Sequence, residues 1–498
     1  MLIALLTVFL VAPRPPHLAP RTSPFAFAQA PGQPPPEQDT KKAKKKDKQD
    51  DEDDQDQPDK KETKEKKPKK KKVAVQTEPS PDEPFDPDAS GTSSGVHFSW
   101  QQHPSMRIGS IFRIDLEAKL QEDGHSSYGP VAGLDPWEFH RNRLGVKGFL
   151  TKQIEYEIER EFTEKELTEK DVEAGLTPKS QWKDVNVNLK YFKAAQIQIG
   201  KFKVPFGLDE LTGVTHNDYV YRSMGANYLD PGRDIGVMVH GQFFKRGVSY
   251  AVGGFLNDGD NAKSKKIEGG GRTLAARVTA VPFRRLTTSS LGSINIGTAF
   301  TFSELSDDSF RPNGLRGRTI MTQDTFYDSV YVNGHRRRWE TDGDWTTGPW
   351  SVRSEFTWET GDRLGQGIGD EDLPDARGRA WYISGTWVLT GERKQRPVRA
   401  AEPFAQGGIG AIELATRYER IWFDSTPPGQ DVPLRNPRAE TIFVSGDRAF
   451  TIGLNWTLNR FTKVQVNAIR EQVSDPQRSP VPDGAAFWSR VIRLQFVL

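Results

Sequence analysis

From about residue 96 to the end, apolar and polar residues alternate in short blocks, and the polar positions carry full charges. Val185, Val187, Leu189 and Tyr191 alternate with Asn186, Asn188 and Lys190; Ile235, Val237 and Val239 alternate with Met238 and His240. Phe112, Ile114 and Leu116 sit between Arg113, Asp115 and Glu117, and Ile154, Tyr156 and Ile158 between Glu155, Glu157 and Glu159. Trp350, Val352, Phe356 and Trp358 repeat the pattern around Ser351, Arg353, Glu355 and Thr357. A period of two places one residue set on each face of a strand. About 16 such segments occur, roughly 25 residues for each strand and its connection, a spacing that predicts an all-β, antiparallel barrel of porin size. Residues 328–338 fit the alternation less well, and the basic run Arg336 to Arg338 is expected in an external loop or at the rim.

A soluble barrel and a transmembrane barrel both pair an apolar face with a polar one. Three features favour the membrane. Trp350, Trp358, Trp381, Trp387, Trp422 and Trp456 stand near strand ends, as an interfacial girdle requires. Arg113, Glu155, Arg277 and Arg353 put full charges on the polar face, which suits a wet lumen. Short connections such as 245–247 alternate with long polar ones such as 205–233 and 361–378. No run approaches the ~18 apolar residues of a membrane helix, which a β-barrel does not need. The last strand, 491–498, has Ile492, Leu494, Phe496 and Leu498 on one face and Arg493 and Gln495 on the other.

Ahead of the barrel lie two segments of different composition. Residues 1–28 read as an export signal, with an apolar core from Leu2 to Ala12 and small residues at Ala26-Phe27-Ala28. No Lys or Arg precedes that core. Residues 29–95 form a Pro-, Lys- and Asp-rich stretch expected to be disordered and periplasmic, because it holds almost nothing to bury. Residues 31–90 carry 15 Lys and 17 acids, leaving 91–498 with 52 basic against 50 acidic residues. That balance advertises no nucleic-acid partner. The charged segment is either a solvated spacer or a contact to the cell wall.

Five stretches then occur in a fixed order: IGKFKVPFGLDELT (199–212), YRSMGANYLDPGRDIGV (221–237), WYISGTWVLTGE (381–392), GAIELATRYERI (410–421) and TIGLNWTLNRFTKVQVN (451–467). Together they resemble the phosphate-selective porin O and P family over most of residues 100–498. The resemblance implies a trimeric 16-stranded outer-membrane channel whose third loop, here about 205–233, folds inward to narrow the pore. Phosphate and pyrophosphate are the substrates that it implies.

A passive channel selects by width and by charge at its narrowest ring, and anions call for Arg or Lys there. The candidates are Arg222 and Arg233 on or beside the loop and Lys201 and Lys203 on the strand before it. A bulge at Gly200 would re-aim the two lysines. The competing reading gives Arg233 a salt bridge to Asp230 or Asp234 and leaves the lysines as solvated rim charges. Asp209, Glu210 and Asp218 on the same loop would oppose an anion.

The chain lacks cysteine and shows no His-Glu-x-x-His pair, Gly-x-Ser-x-Gly elbow or phosphate loop. No enzyme, cofactor or metal site is therefore expected. The expected function is a passive outer-membrane pore for small anions. The alternatives are a general porin and a structural barrel tethered to the envelope through residues 31–90.

Overall fold

The computed structural model describes residues 95–498, except for 101–102, 110, 129–135, 164–180, 245, 261–271, 287–288, 306–314, 328–329, 331, 427–441, 443 and 475–485. The expected export signal (1–28) and the charged segment (29–95, but for Gly95) lie outside the described residues. In chain order the strands are β1 (Val96–Trp100), β2 (Pro104–Ile108), β3 (Phe112–Tyr128), β4 (Trp137–Thr151), β5 (Ile154–Glu161), β6 (Trp182–Phe192), β7 (Ala195–Lys203), β8 (Arg233–Phe243), β9 (Val248–Phe255) and β10 (Thr273–Ala280). They continue with β11 (Asn295–Leu305), β12 (Gly317–Arg318), β13 (Thr325–Tyr327), β14 (Gly334–Thr347), β15 (Trp350–Arg363), β16 (Leu373–Val388), β17 (Ala411–Thr426), β18 (Ser445–Thr457), β19 (Thr462–Ser474) and β20 (Ala486–Val497).

Strands β3 to β11 and β14 to β20 pair antiparallel, each with the next, and β20 returns to β3 with Trp488 opposite Tyr128 and Val497 opposite Lys119. This closes a 16-stranded barrel. Closure leaves no strand edge around the ring, the condition for crossing hydrocarbon without orphaned backbone groups. β1 and β2 form a hairpin that adds to the start of β3. β12 and β13 make a separate two-stranded ribbon inside the β11–β14 connection.

Burial is inverted relative to a protein that folds in water. Ile199, Val237, Val252, Leu274, Phe300, Ile383 and Leu454 are exposed. Arg143, Glu159, Arg277, Glu340, Glu355, Arg417, Glu419 and Arg493 are buried. The apolar set therefore faces outward and the charged set faces the lumen. On β5 the inward face is a run of acids, Glu155, Glu157, Glu159 and Glu161. Lys119, Lys190 and Arg143 meet Glu159, Glu155 and Glu161 across the neighbouring strands. Trp339, Trp350, Trp387 and Trp488 are exposed on the outer wall. Trp350 and Trp387 stack face to face with centroids 4.6 Å apart.

Three expectations change. The ladders of β7 with β6 and β8 run without a shift through Gly200, so there is no bulge there. Gly200 instead takes φ 127°, and a Cβ at that position would lie 2.2 Å from the Val185 carbonyl. Arg336 to Arg338 stand on β14 rather than in a loop or at the rim. Arg336 and Arg338 point inward and clasp Asp258 and Glu359. The turns at one end are short at 193–194, 348–349 and 458–461, but the β10–β11 and β16–β17 connections at that end are long, 281–294 and 389–410.

The outward-facing set predicts a position-dependent penalty. Val237→Arg, on the outer face of β8, should cost about 2–4 kcal/mol in the reconstituted barrel. Gln198→Arg, paired with Met238 on the lumen face, should cost far less. Urea unfolding midpoints in vesicles measure both, and equal losses would contradict the outward assignment.

Candidate pore constriction

Residues 204–232 leave β7, cross the lumen and return to β8. Two glycines with positive φ turn the chain at the neck, Gly207 at 77° and Gly232 at 78°. The Val204 amide donates to the Gly232 carbonyl at 2.9 Å and closes it. A side chain at Gly207 would meet the Asp230 carboxylate, since a Cβ there would lie 1.8 Å from Oδ2. The root is also held by packing: Phe202, Val204 and Phe206 sit against Met238, Phe255, Ala275 and Ala299.

Beyond the neck, the loop is short of regular structure, so its buried backbone needs partners from the wall. The Asp209 amide donates to Glu355 at 2.9 Å, and the Asp209 carboxylate accepts from the Ser223 amide. Ser223 caps the helical turn Met224–Tyr228 by accepting from the Ala226 amide. Farther across, Asn467 accepts from the Val220 amide, Arg493 donates to the Val220 carbonyl and Arg417 donates to the Tyr221 carbonyl. Lys463 donates to the Thr215 and Asn217 carbonyls. The loop is thus fastened to β15, β17, β19 and β20, across the lumen from its root.

Two other connections join it. Residues 315–332 bring Leu315, Ile320, Phe326, Tyr327, Val330 and Val332 into one apolar cluster with Met224, Tyr228 and Leu229 of the loop and Ile421, Phe423, Ile469 and Phe487 of the wall. Tyr327 stacks on Phe423 with centroids 4.4 Å apart. From the opposite end, the long 389–410 connection sends Lys394 and Arg396 to Asp218. Lys394 also binds Glu413, and Arg396 and Arg353 both reach Asp344. Burial alone would raise the Asp218 carboxyl, but Lys394, Arg396 and Arg353 outweigh it and hold it below the usual carboxylate range. Asp230 is the reverse case. Burial and the nearby Glu355, Glu210 and Asp209 push it well above that range, and neither of its oxygens accepts a hydrogen bond among the described residues.

Each of the four residues proposed from sequence stands within 4 Å of a carboxylate. Arg222 is buried, with Nε 3.2 Å from Glu210, and it also donates to the Thr212 carbonyl at 2.7 Å. Arg233 takes Asp184 of β6 at 2.8 Å rather than Asp230 or Asp234. Asp234 instead accepts from Asn257. Lys201 is 3.8 Å from Asp260, and Lys203 is 3.8 Å from Glu210 while donating to the Glu210 and Thr212 carbonyls. The structure brings Arg222 and Lys203 together through Glu210; Arg233 and Lys201 have separate partners.

A larger set of bases reaches the loop although none was among the four candidates for the constriction: Arg353, Lys394, Arg396, Arg417, Lys463 and Arg493. All but Lys394 and Arg396 lie on the polar face of a strand, so alternation alone marks them as lumenal. Their convergence on 204–232 depends on the loop's path, which no local pattern encodes. One trio, Asp123, Glu138 and His140, has donor atoms within 4.8 Å of one another. Both oxygens of Asp123 are already taken by Arg493 at 2.6 Å, so the trio reads as part of an ion-pair network.

The profile of the phosphate-selective porin O and P family matches residues 128–498. No curated protein matches the chain in sequence. Among solved structures it is similar to the trimer form of OmpT, an outer membrane protein of Vibrio cholerae, at 10% identity and a TM-score of 0.48, covering 78% of this chain and 100% of that one. It is similar to an anion-selective porin from Comamonas acidovorans at 12% identity and a TM-score of 0.47, covering 77% and 99%. It is also similar to the outer membrane channel DcaP of Acinetobacter baumannii at 9% identity and a TM-score of 0.47, covering 78% and 98%.

Acid should loosen this network within a narrow window. Asp258 ordinarily titrates near 3.8; burial opposes its charge, but Arg338 and Arg336 bring it down to about 2. A lowered carboxyl stabilises the fold fully above its ordinary value and loses that contribution as pH falls through the folded value. Asp218 acts in the same sense. The stability that Asp258 supplies is therefore constant down to about pH 4 and declines from there to about pH 2, and the loss from Asp218, which is held lower, extends to more acid solution. Asp258→Asn should flatten part of the decline in acid unfolding curves, and a curve that overlays the parent's would reject the assignment.

Proposed function

The chain belongs to the phosphate-selective porin O and P family, and from that premise we propose that it conducts small oxyanions of the phosphate kind. It is an outer-membrane porin, a passive water-filled channel. The observation that supports the anion reading is the convergence on the lumen-crossing loop of Lys394 and Arg396, which reach Asp218 from the opposite end, and of Arg353, which donates to the Thr212 hydroxyl at 3.0 Å from the wall. Guanidinium groups suit phosphate because their planar fork pairs with two oxygens. Arg222, Arg233, Lys201 and Lys203 belong to the same proposal as bases at or beside the narrowing, where an arriving oxyanion competes with their carboxylate partners. The protein acts as a conduit rather than a catalyst.

Three further elements complete the reading. The protein assembles as a homotrimer, as the family resemblance implies. Residues 1–28 direct export. Residues 29–95 remain on the periplasmic side, where their charged blocks serve as a spacer or touch the cell wall.

One observation favours a second reading, a general pore with weak selectivity. The lumenal bases are matched by acids, and residues 204–232 themselves hold Asp209, Glu210, Asp218 and Asp230 against a single Arg222. Charge matching of this kind lowers the field that an anion would feel.

Reversal potential in a planar bilayer under a potassium chloride gradient separates the two. Anion preference should shift toward cations in Lys394→Glu and Arg396→Glu. Cation preference in the parent channel would overturn the anion reading, and a near-zero potential would favour the general pore.

A further inference from the structure

The hairpin formed by β1 and β2 lies outside the stretch that matches the family profile, which begins at residue 128. Its place in the wall is unusual. β20 pairs with β3 from Lys119 to Tyr128, and Leu498 exchanges both backbone hydrogen bonds with Ala118 just beyond. β2 pairs with β3 from Phe112 to Asp115, on the side of β3 that β20 occupies farther along. β2 therefore continues the wall beyond the final strand, at the short-turn end, and β1 widens it by one more strand.

Register fixes which way the hairpin faces. Ser105 stands opposite Asp115 and donates to its carboxylate at 2.5 Å. Asp115 belongs to the buried, lumen-facing set of β3, so Ser105 and its partner Ser99 face the lumen side. Directly paired residues share a face and their neighbours take the other. Val96, Phe98 and Trp100, with Met106 and Ile108 opposite, therefore point outward. Met106 and Ile108 pair in turn with Ile114 and Phe112, in line with the exposed Leu116 and Leu120 of the lipid-facing wall. Phe98 is 78% exposed and Trp100 63%.

We propose that the outward face of this hairpin, Val96, Phe98, Trp100, Met106 and Ile108, is a lipid contact that seats the closing seam in the membrane interface. The occupant follows from continuity, since the apolar stripe extends the lipid-facing surface of β3 with no change of face. Depth follows from backbone chemistry. The outer edge of β1 pairs with no described strand, and a row of unpaired N–H and C=O groups is not tolerated in hydrocarbon. The hairpin therefore lies at the headgroup boundary, where water reaches that edge and where aromatic side chains are favoured. Short turns mark the periplasmic end of outer-membrane barrels, so the leaflet is the inner one.

The chain has no cysteine, so single spin labels can be placed without background. Phe98→Cys, His97→Cys and Leu116→Cys are labelled in the full-length chain and reconstituted in phosphatidylethanolamine–phosphatidylglycerol vesicles. Accessibility to oxygen and to a water-soluble nickel chelate is then compared. A label at 98 should follow 116, rich in oxygen and poor in chelate, while a label at 97 should show the opposite. Equal chelate access at 97 and 98 would overturn the proposal. Spin–spin broadening at 98 that disappears on dilution with unlabelled chain would overturn it too, by showing a second copy on that face. If Phe98→Cys does not fold, quenching by brominated lipid supplies the readout. Trp100→Phe should remove part of the quenchable fluorescence, and an unchanged quenchable fraction would reject the lipid contact.

Discussion

Every feature of this protein follows from the need to pair backbone groups in a medium that offers none. A strand in hydrocarbon can satisfy its N–H and C=O groups only through neighbours, and only a ring leaves no stave unpaired. Closure of β20 onto β3 meets that need. Once the ring exists, alternation does the rest. One residue set must meet lipid and the other must meet whatever fills the interior. The exposed valines, leucines and isoleucines and the buried arginines and glutamates are two consequences of one geometry.

An interior lined with charge has its own requirement. Side chains such as Arg338, Arg417 and Arg493 are almost wholly buried, and each is paired with a carboxylate. Removing one member of such a pair leaves its partner desolvated and uncompensated. The crossing segment exploits the same wall. Its carbonyls accept from Lys463, Arg417 and Arg493, so the charges that hold the lumen together also hold the obstruction in place. The apolar cluster around Tyr228, Tyr327 and Phe423 adds a second, non-ionic attachment.

Much of the fold was legible in the sequence because a two-residue period is local. Ile235, Val237 and Val239 declare one face of β8, and Leu494 and Phe496 declare one face of β20, without knowledge of any partner. The segment between residues 204 and 233 stood out because it interrupts that period with Gly, Asp and Pro. What escaped was long-range. Arg233 chose Asp184, which no reading of neighbouring residues would select over Asp230 or Asp234. The basic run at 336–338 looked like loop material because its middle member, Arg337, breaks the apolar series, yet its flanking arginines keep strict alternation. Lys394 lies in a connection at the end where short turns were expected, so its arrival at Asp218 depends on the path of two connections at once. A glycine in a strand suggests a bulge, but at Gly200 the cause is instead two backbones that approach too closely for a side chain.

The seam between β3 and β20 also sets the order of assembly. Its two staves come from opposite ends of the described chain, so the pairing that shuts the ring is among those of greatest sequence separation and must come late. Until then the outer edge of β20 and all of β3's edge beyond the short stretch that β2 covers are bare, ready to join any extended polypeptide nearby.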